Sequence, residues 1–149
     1  MLEVGCGYGD LLLYLRSRGC DVLGTDISPD ASAKAAEYGL EVRCGEFAKL
    51  ELPAASFDIA ILSHSLEHVP DPNVELSELA RVLKPDGVLF HYTGTPNKLT
   101  SGRDVPQEVA ARLRAAGFAT ELHGDGIVGR KCGGAGGRRS GPGRRVGAR

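Results

Sequence analysis

The sequence predicts an α/β domain built on an open, mostly parallel sheet, and three observations carry that prediction. The opening residues Met1-Leu2-Glu3-Val4-Gly5-Cys6-Gly7-Tyr8-Gly9-Asp10-Leu11-Leu12 begin as an apolar strand end, break through three alternating glycines and enter a helix. Strand and helix signals then alternate along the chain, the pattern of parallel strands joined by right-handed crossovers. Finally, Phe57-Asp58-Ile59-Ala60-Ile61-Leu62 is nearly all apolar, as expected of a parallel strand covered on both faces. With 149 residues the chain suits one domain and is long enough to bury a core.

Each element follows in order. After the glycine loop, Leu11 to Arg18 reads as a helix ended by Gly19, a residue suited to a left-handed stop. Asp21 to Asp26 is a short strand. Ser28 is placed to cap the next helix, with Pro29 at its first position, and that helix runs through the alanines to Glu37 and stops at Gly39. Leu40 to Cys44 reads as a third strand and Phe57 to Leu62 as a fourth. Asn73 to Leu83 has the spacing of an amphipathic helix, halted by Lys84-Pro85-Asp86-Gly87, and Val88 to Tyr92 forms a fifth strand. Val105 to Ala116 is a further helix, stopped by Gly117. Phe118 to Leu122 and Ile127 to Gly129 then close as a hairpin.

Composition narrows the class. No apolar run approaches the roughly 20 residues of a membrane span, and no basic, apolar and small-residue leader opens the chain. Cys6, Cys20, Cys44 and Cys132 are scattered without a C-x-x-C pair, so neither a disulfide framework nor a zinc ribbon has support, and a cytoplasmic location is expected. The net charge of −1 hides an asymmetry. Residues 130–149 carry seven basic side chains and no acid, which leaves −8 on the preceding 129 residues. The expected organisation is an acidic domain over residues 1–130 and a Gly- and Arg-rich disordered tail over 131–149. That tail has the charge for non-specific RNA contact.

The glycine loop carries the first chemistry. Glycines permit backbone angles that a Cβ forbids and let the main chain approach a ligand. The helix start beyond them offers free N–H groups and a partial positive charge. Asp26 ends the second strand 19 residues after Gly7. Strands of common direction end at one sheet edge, so Asp26 is expected beside the loop, where a carboxylate accepts from both hydroxyls of a ribose. The competing reading is a helix-capping aspartate ahead of Ser28-Pro29, and the spacing favours the ribose. A dinucleotide fingerprint needs glycine at position 10, where Asp10 stands, so a nicotinamide-dependent reductase is disfavoured.

The pattern E-x-G-x-G-x-G from Glu3 to Gly9 resembles motif I of the class I methyltransferases that depend on S-adenosyl-L-methionine (SAM). Glu46-Phe47 stands where that family commonly has an acid followed by an apolar residue. Ser63-His64-Ser65-Leu66-Glu67-His68-Val69-Pro70 resembles the "LEHV" segment of the type 11 and ubiquinone/menaquinone-biosynthesis subgroup. Arg81-Val82-Leu83-Lys84-Pro85-Asp86-Gly87 resembles its "R-v-L-k-P-G-G" turn. Together these segments cover residues 1 to about 92 in the family's order.

The resemblance implies a Rossmann-like α/β fold with a mostly parallel seven-stranded sheet, an antiparallel last strand and helices on both faces. It implies SAM as cofactor, with Glu3, Gly5, Cys6, Gly7, Gly9, Asp26, Ile27, Glu46, Phe47 and Ser63 as its binding residues. Glu3 would hold the methionine end, directly or through water. Glu46 would meet the adenine amino group while Phe47 lies against the ring. His64 or His68 would serve as a general base. No metal is implied. His64 to His68 also spells H-x-x-E-H, a zinc-hydrolase pattern, but it follows directly on a buried strand and runs into Pro70 instead of lying on a continuous helix.

The acceptor is expected to be a small molecule presenting an oxygen, nitrogen or carbon nucleophile. No N/D-P-P-Y run or Pro-Cys pair follows the fourth strand, which disfavours nucleic-acid bases, while an RNA-directed enzyme acting on ribose stands as an alternative. The family implies one or two helices ahead of the first strand, over the SAM pocket. The expectation is therefore a domain truncated at its N-terminus relative to the family. It would bind SAM weakly and transfer little by itself, as an inactive SAM-binding fragment or with a partner protein covering the site.

Overall fold

The computed structural model describes residues 1–63, 65–92, 105–123 and 126–132. Its elements are β1 (Leu2–Val4), α1 (Asp10–Ser17), β2 (Leu23–Asp26), α2 (Pro29–Glu37), β3 (Val42–Cys44), β4 (Phe57–Ser63), α3 (Pro72–Val82), β5 (Leu83–Tyr92), α4 (Val105–Ala115), β6 (Phe118–His123) and β7 (Gly126–Lys131). Single 3-10 turns lie at Phe47–Lys49 and Leu66–His68. The strands form one seven-stranded sheet in the order β3-β2-β1-β4-β5-β7-β6. Pairing is parallel from β3 through β5, and β7 runs antiparallel to both β5 and β6. This is the sheet expected from the sequence, with its last strand reversed.

Local chemistry sets the element ends. The Ser28 hydroxyl accepts from the Ala31 N–H at 3.2 Å and caps α2, with Pro29 in its first turn. Helix α3 starts at Pro72, one residue earlier than expected, because the Asp71 carboxylate accepts from the Asn73 N–H at 2.9 Å. Strand β5 begins at Leu83 instead of Val88. Leu83 pairs with Phe57 and Val88 with Ile59, so the Lys84–Gly87 turn is a bulge inside the strand, with Asp86 at φ 62°. Strand β3 begins two residues later than expected, because Leu40 turns into the core beside Leu12 and Ala35. Strand β7 runs through Lys131, and the Cys132 N–H donates to the Gly117 carbonyl at 2.9 Å. The rest of the Gly- and Arg-rich segment, residues 133–149, lies outside the described residues.

The core is divided between the two sheet faces. The larger cluster joins Leu2, Val4, Ala60, Leu62 and Leu89 of the strands to Leu76, Leu79 and Val82 of α3 and Val109, Ala110 and Leu113 of α4. The smaller cluster joins Cys6, Leu12, Ala35 and Leu40 under α1 and α2. Helices therefore lie on both faces, but among the described residues β4 is not covered on both as its apolar sequence suggested. Ala60 and Leu62 are buried, whereas Ile59, Ile61 and Ser63 on the opposite face are half-buried. Their partners in β5 continue that face, with Phe90 43% and Tyr92 46% exposed. Among the described residues, no helix is long and apolar enough to cross a membrane.

Candidate functional site

The sheet order reverses at its centre: β1 leads outward to β2 and β3 on one side, while β4 and β5 fill the other. Loops leaving β1 and β4 diverge there, and the crevice at the carboxyl ends of such strands is where open α/β sheets bind ligands. A cavity of about 530 Å3 opens at that place. Its walls come from four strand ends (Gly5, Asp26, Glu46 and Ser65) and from α3 through Val74 and Glu75.

The glycine loop is tied to β2. The Gly5 and Cys6 N–H groups both donate to the Thr25 carbonyl, at 2.8 and 2.9 Å, and the Gly7 N–H donates to Asp26 Oδ2 at 2.8 Å. Asp26 Oδ1 accepts from the Ser28 N–H at 2.8 Å. Asp26 thus acts as loop clamp and local turn former together, and it also lines the cavity. An ionised carboxylate has about four acceptor positions, so these two bonds leave capacity for a ligand. Gly5 has φ +75°, and a Cβ built on it would come within 2.7 Å of Ser65 Cβ. Glycine is needed there so that the loops after β1 and β4 can pass each other.

Burial shapes the electrostatics. Glu3 is 4% exposed, its Oε2 has no partner among the described residues, and burial, reinforced by Asp10 and Asp26, raises its carboxyl from 4.5 to about 7. Burial likewise pushes the Cys6 thiol up to about 12, leaving it a neutral packing group. Glu46 instead pairs with Lys49 at 2.8 Å and is 44% exposed at its side chain.

Of the residues singled out from sequence, the structure brings Gly5, Asp26, Ile27, Glu46, Phe47 and His68 together around the cavity. Glu3, Cys6, Gly7, Gly9 and Ser63 are not part of its wall. The Cys6 side chain packs in the smaller core, so only its backbone belongs to the loop. Gly9 has φ +86°, and a Cβ there would lie 2.3 Å from Leu40 Cδ1, so this glycine serves the packing of α1. His64 lies outside the described residues. His68 ends a single 3-10 turn, not the long helix of a zinc motif.

Sequence reasoning missed Ser65, Val69, Val74 and Glu75, all of which line the cavity. Glu75 had a signal that pointed elsewhere: an acid in the first turn of a helix reads as complementing the helix dipole in solvent. It is instead 6% exposed and raised to about 7 by burial, then by Glu78 and Glu46.

Comparison with known proteins adds the lineage. The sequence profile of the methyltransferase-domain family matches residues 2–91. A probable S-adenosylmethionine-dependent methyltransferase of Mycolicibacterium smegmatis is 34% identical over 148 residues, covering 86% of this chain and 57% of that protein. The ubiquinone biosynthesis O-methyltransferase of Paraburkholderia phymatum is 38% identical over 100 residues, covering 62% of this chain and 43% of that protein. The chain thus spans about half the length of the curated relatives it matches. Among solved structures, a SAM-dependent methyltransferase of Methanosarcina mazei superimposes with a TM-score of 0.74 at 21% identity, covering 88% of this chain and 91% of that one, which is a likeness of fold.

Proposed function

The chain belongs to the methyltransferase-domain family, and from that premise we propose that it binds SAM at the carboxyl edge of the sheet and transfers its methyl group to a nucleophile of a small organic acceptor. The observation that carries this reading is the convergence of Gly5 at the start of the glycine loop, Asp26, Glu46-Phe47 and Ser65 on one cavity at the reversal of strand order. The residues suit the group. Ser65 Oγ, on the cavity wall, is a buried polar atom without a partner among the described residues, beside a loop that only glycine can form at position 5, and Glu3 Oε2 is a second such atom behind that wall. Such orphaned atoms are stable when a ligand completes them.

When bound, the cofactor supplies an electrophilic methyl group on a sulfonium. The side chains of this chain do the rest. Asp26 accepts from ribose hydroxyls with the capacity left by Gly7 and Ser28. Phe47 packs against the base. Glu3, ionised by a cationic partner, holds the amino end directly or through water. Val69, Pro70 and Val74 exclude water along the wall where they lie. His68, which also lines that wall, takes a proton from the acceptor in this reading, and His64 shares that proposed role. Catalysis comes chiefly from aligning two reactants in line. The relative named for ubiquinone biosynthesis and the apolar wall both favour a small, partly apolar acceptor.

Calorimetric titration with SAM, S-adenosylhomocysteine and NADH is the direct test. Saturable binding of the two sulfur ligands, with none of NADH, is expected. S-adenosylhomocysteine release on incubation with a panel of phenols and amines then reports transfer. Binding of NADH in place of the sulfur ligands would overturn the assignment.

A further inference from the structure

The helix layer on one side of the sheet stops half-way. Helices α1 and α2 lie over β2 and β3, with Leu12 against Gly24. Residues paired across neighbouring strands share a face, and the pairings carry that face from Gly24 through Glu3, Ile61, Phe90 and Val128 to Glu121. Over β4, β5, β7 and β6 no helix of the described residues covers it, because α3 and α4 pack on the opposite face. The bare half is apolar. Phe90 is 43% and Tyr92 46% exposed, and a shallow groove of about 410 Å3 runs between Ile61, Phe90, Tyr92 and Val128. Contiguous apolar patches of this kind mark interaction surfaces.

The outer side of the helix layer is apolar too. Tyr14 stands on the side of α1 away from Leu12 and is 59% exposed, and Tyr38 at the end of α2 is 50% exposed. On the α3–α4 side of the sheet, no aromatic residue among those described is exposed. We propose that the bare half of each sheet is covered by the α1–α2 layer of a second copy of this chain, with Tyr14 and Tyr38 seated on the Phe90–Tyr92 surface of the other copy.

Three features select a second copy as the occupant. Widths match: two helices packed about 8–10 Å apart span about four strands spaced about 4.8 Å apart, the number left bare. A two-fold axis along the strands turns each half-layer onto the other copy's bare half, whereas an axis across them would set helix against helix. Charge agrees. Helix α2 presents the exposed Lys34–Glu37 pair, and the strands it would cover present Arg130 diagonal to Glu121, so each sign meets its opposite. Area suffices as well. At about 200 Å2 per aromatic side chain, the four exposed rings offer about 400 Å2 per copy and about 800 Å2 per pair. Ile59, Ile61, Val88 and Val128, half-buried on the same face, bring the total to about the 1,000 Å2 of a specific interface. That axis leaves both carboxyl edges, and so both cavities, at the same end of the dimer. The pairing needs no cofactor.

Sedimentation velocity of the full chain over a concentration series is the test, with folding followed by circular dichroism. Wild type should pass reversibly from one copy to two in the micromolar range. Tyr14→Glu and Phe90→Lys should each raise the dissociation constant about tenfold or more. An equimolar mixture of the two variants should recover dimers, because one of its two equivalent contacts is then wild type and the other pairs the two introduced charges.

A wild type that stays monomeric at high micromolar concentration would overturn the proposal and leave the bare face to a different partner. A folded Tyr14→Glu variant that dimerises as wild type does would overturn it too, by placing the helix layer outside the interface. So would a mixture no more associated than either variant alone. Should Phe90→Lys not fold, Tyr14→Glu decides by itself, since Tyr14 lies outside the core.

Discussion

Asp26 Oδ2 accepts a hydrogen bond from the Gly7 N–H at 2.8 Å, joining the end of β2 to the middle of the glycine loop across 19 residues. Its other oxygen accepts from the Ser28 N–H at 2.8 Å, so one carboxylate fixes the loop after β1 and the turn into α2. The residue read from sequence as a ribose contact is therefore also part of the frame that shapes the site.

Asp26→Ala should lower SAM affinity by about 1.5–3 kcal/mol, the range for a hydrogen bond to a charged group, and should also lower stability. Asp26→Asn separates the two effects. Its amide oxygen can still accept from Ser28, but its NH2 would face the Gly7 N–H donor to donor. Urea denaturation should place Asn between wild type and Ala, while calorimetry should find both variants weak in binding. Unchanged affinity in a folded Ala variant would remove Asp26 from the binding set.

Two glycines of one loop should respond differently to alanine. At Gly7 (φ +54°) nothing lies within 4 Å of a built Cβ, so the cost should be the left-handed strain alone, about 1–2 kcal/mol. At Gly9 (φ +86°) the Cβ would also press on Leu40, itself 6% exposed, adding about 1–3 kcal/mol of overpacking. Denaturation midpoints of the two variants make the comparison, and equal losses would contradict the packing role of Gly9.

Glu3 should make the fold less stable as pH rises. Its folded value of about 7 lies above the ordinary 4.5, so the folded state holds the proton more tightly. The contribution is fully present below about 4.5, is lost between 4.5 and 7, and amounts to at most about 3 kcal/mol. Glu3→Gln should flatten that fall in a series of urea titrations from pH 4.5 to 8. The same variant should bind SAM more weakly at pH 8, where wild-type Glu3 is an anion for the amino end. A wild-type stability that rises across this window would reverse the sign and refute the burial argument.

Leu89 and Phe90 are neighbours in β5 that point to opposite sheet faces. Leu89 is fully buried under the α3 and α4 cluster, and its replacement by alanine should cost about 2–5 kcal/mol. Phe90 is 43% exposed, and Phe90→Ala should cost less than the usual 3–5 kcal/mol for a buried aromatic, about 1–2 kcal/mol. Thermal unfolding of both variants checks the asymmetry of the faces.

What the sequence determined by itself is what short-range chemistry controls. The strand–glycine–helix opening, the Ser28-Pro29 start of α2 and the position of Asp26 at a strand end all depend on residues a few places apart, and the structure contains each of them. The alternation of elements also carried the parallel sheet, whereas its reversed last strand was implied only by the family resemblance. Only the tertiary structure decided which side chains meet. The apolar run of β4 could not tell a doubly covered strand from one with Ile59 and Ile61 half-buried, because helix cover depends on elements distant in the chain. Motif spacing could not say that the Cys6 side chain leaves the loop for the core, or that Ser65 passes against Gly5. Helical periodicity likewise could not turn an acid in the first turn of α3 from solvent into the cavity. Glu75 lines that cavity because α3 packs against the Phe47–Lys49 turn, a contact between elements separated by the whole of β4.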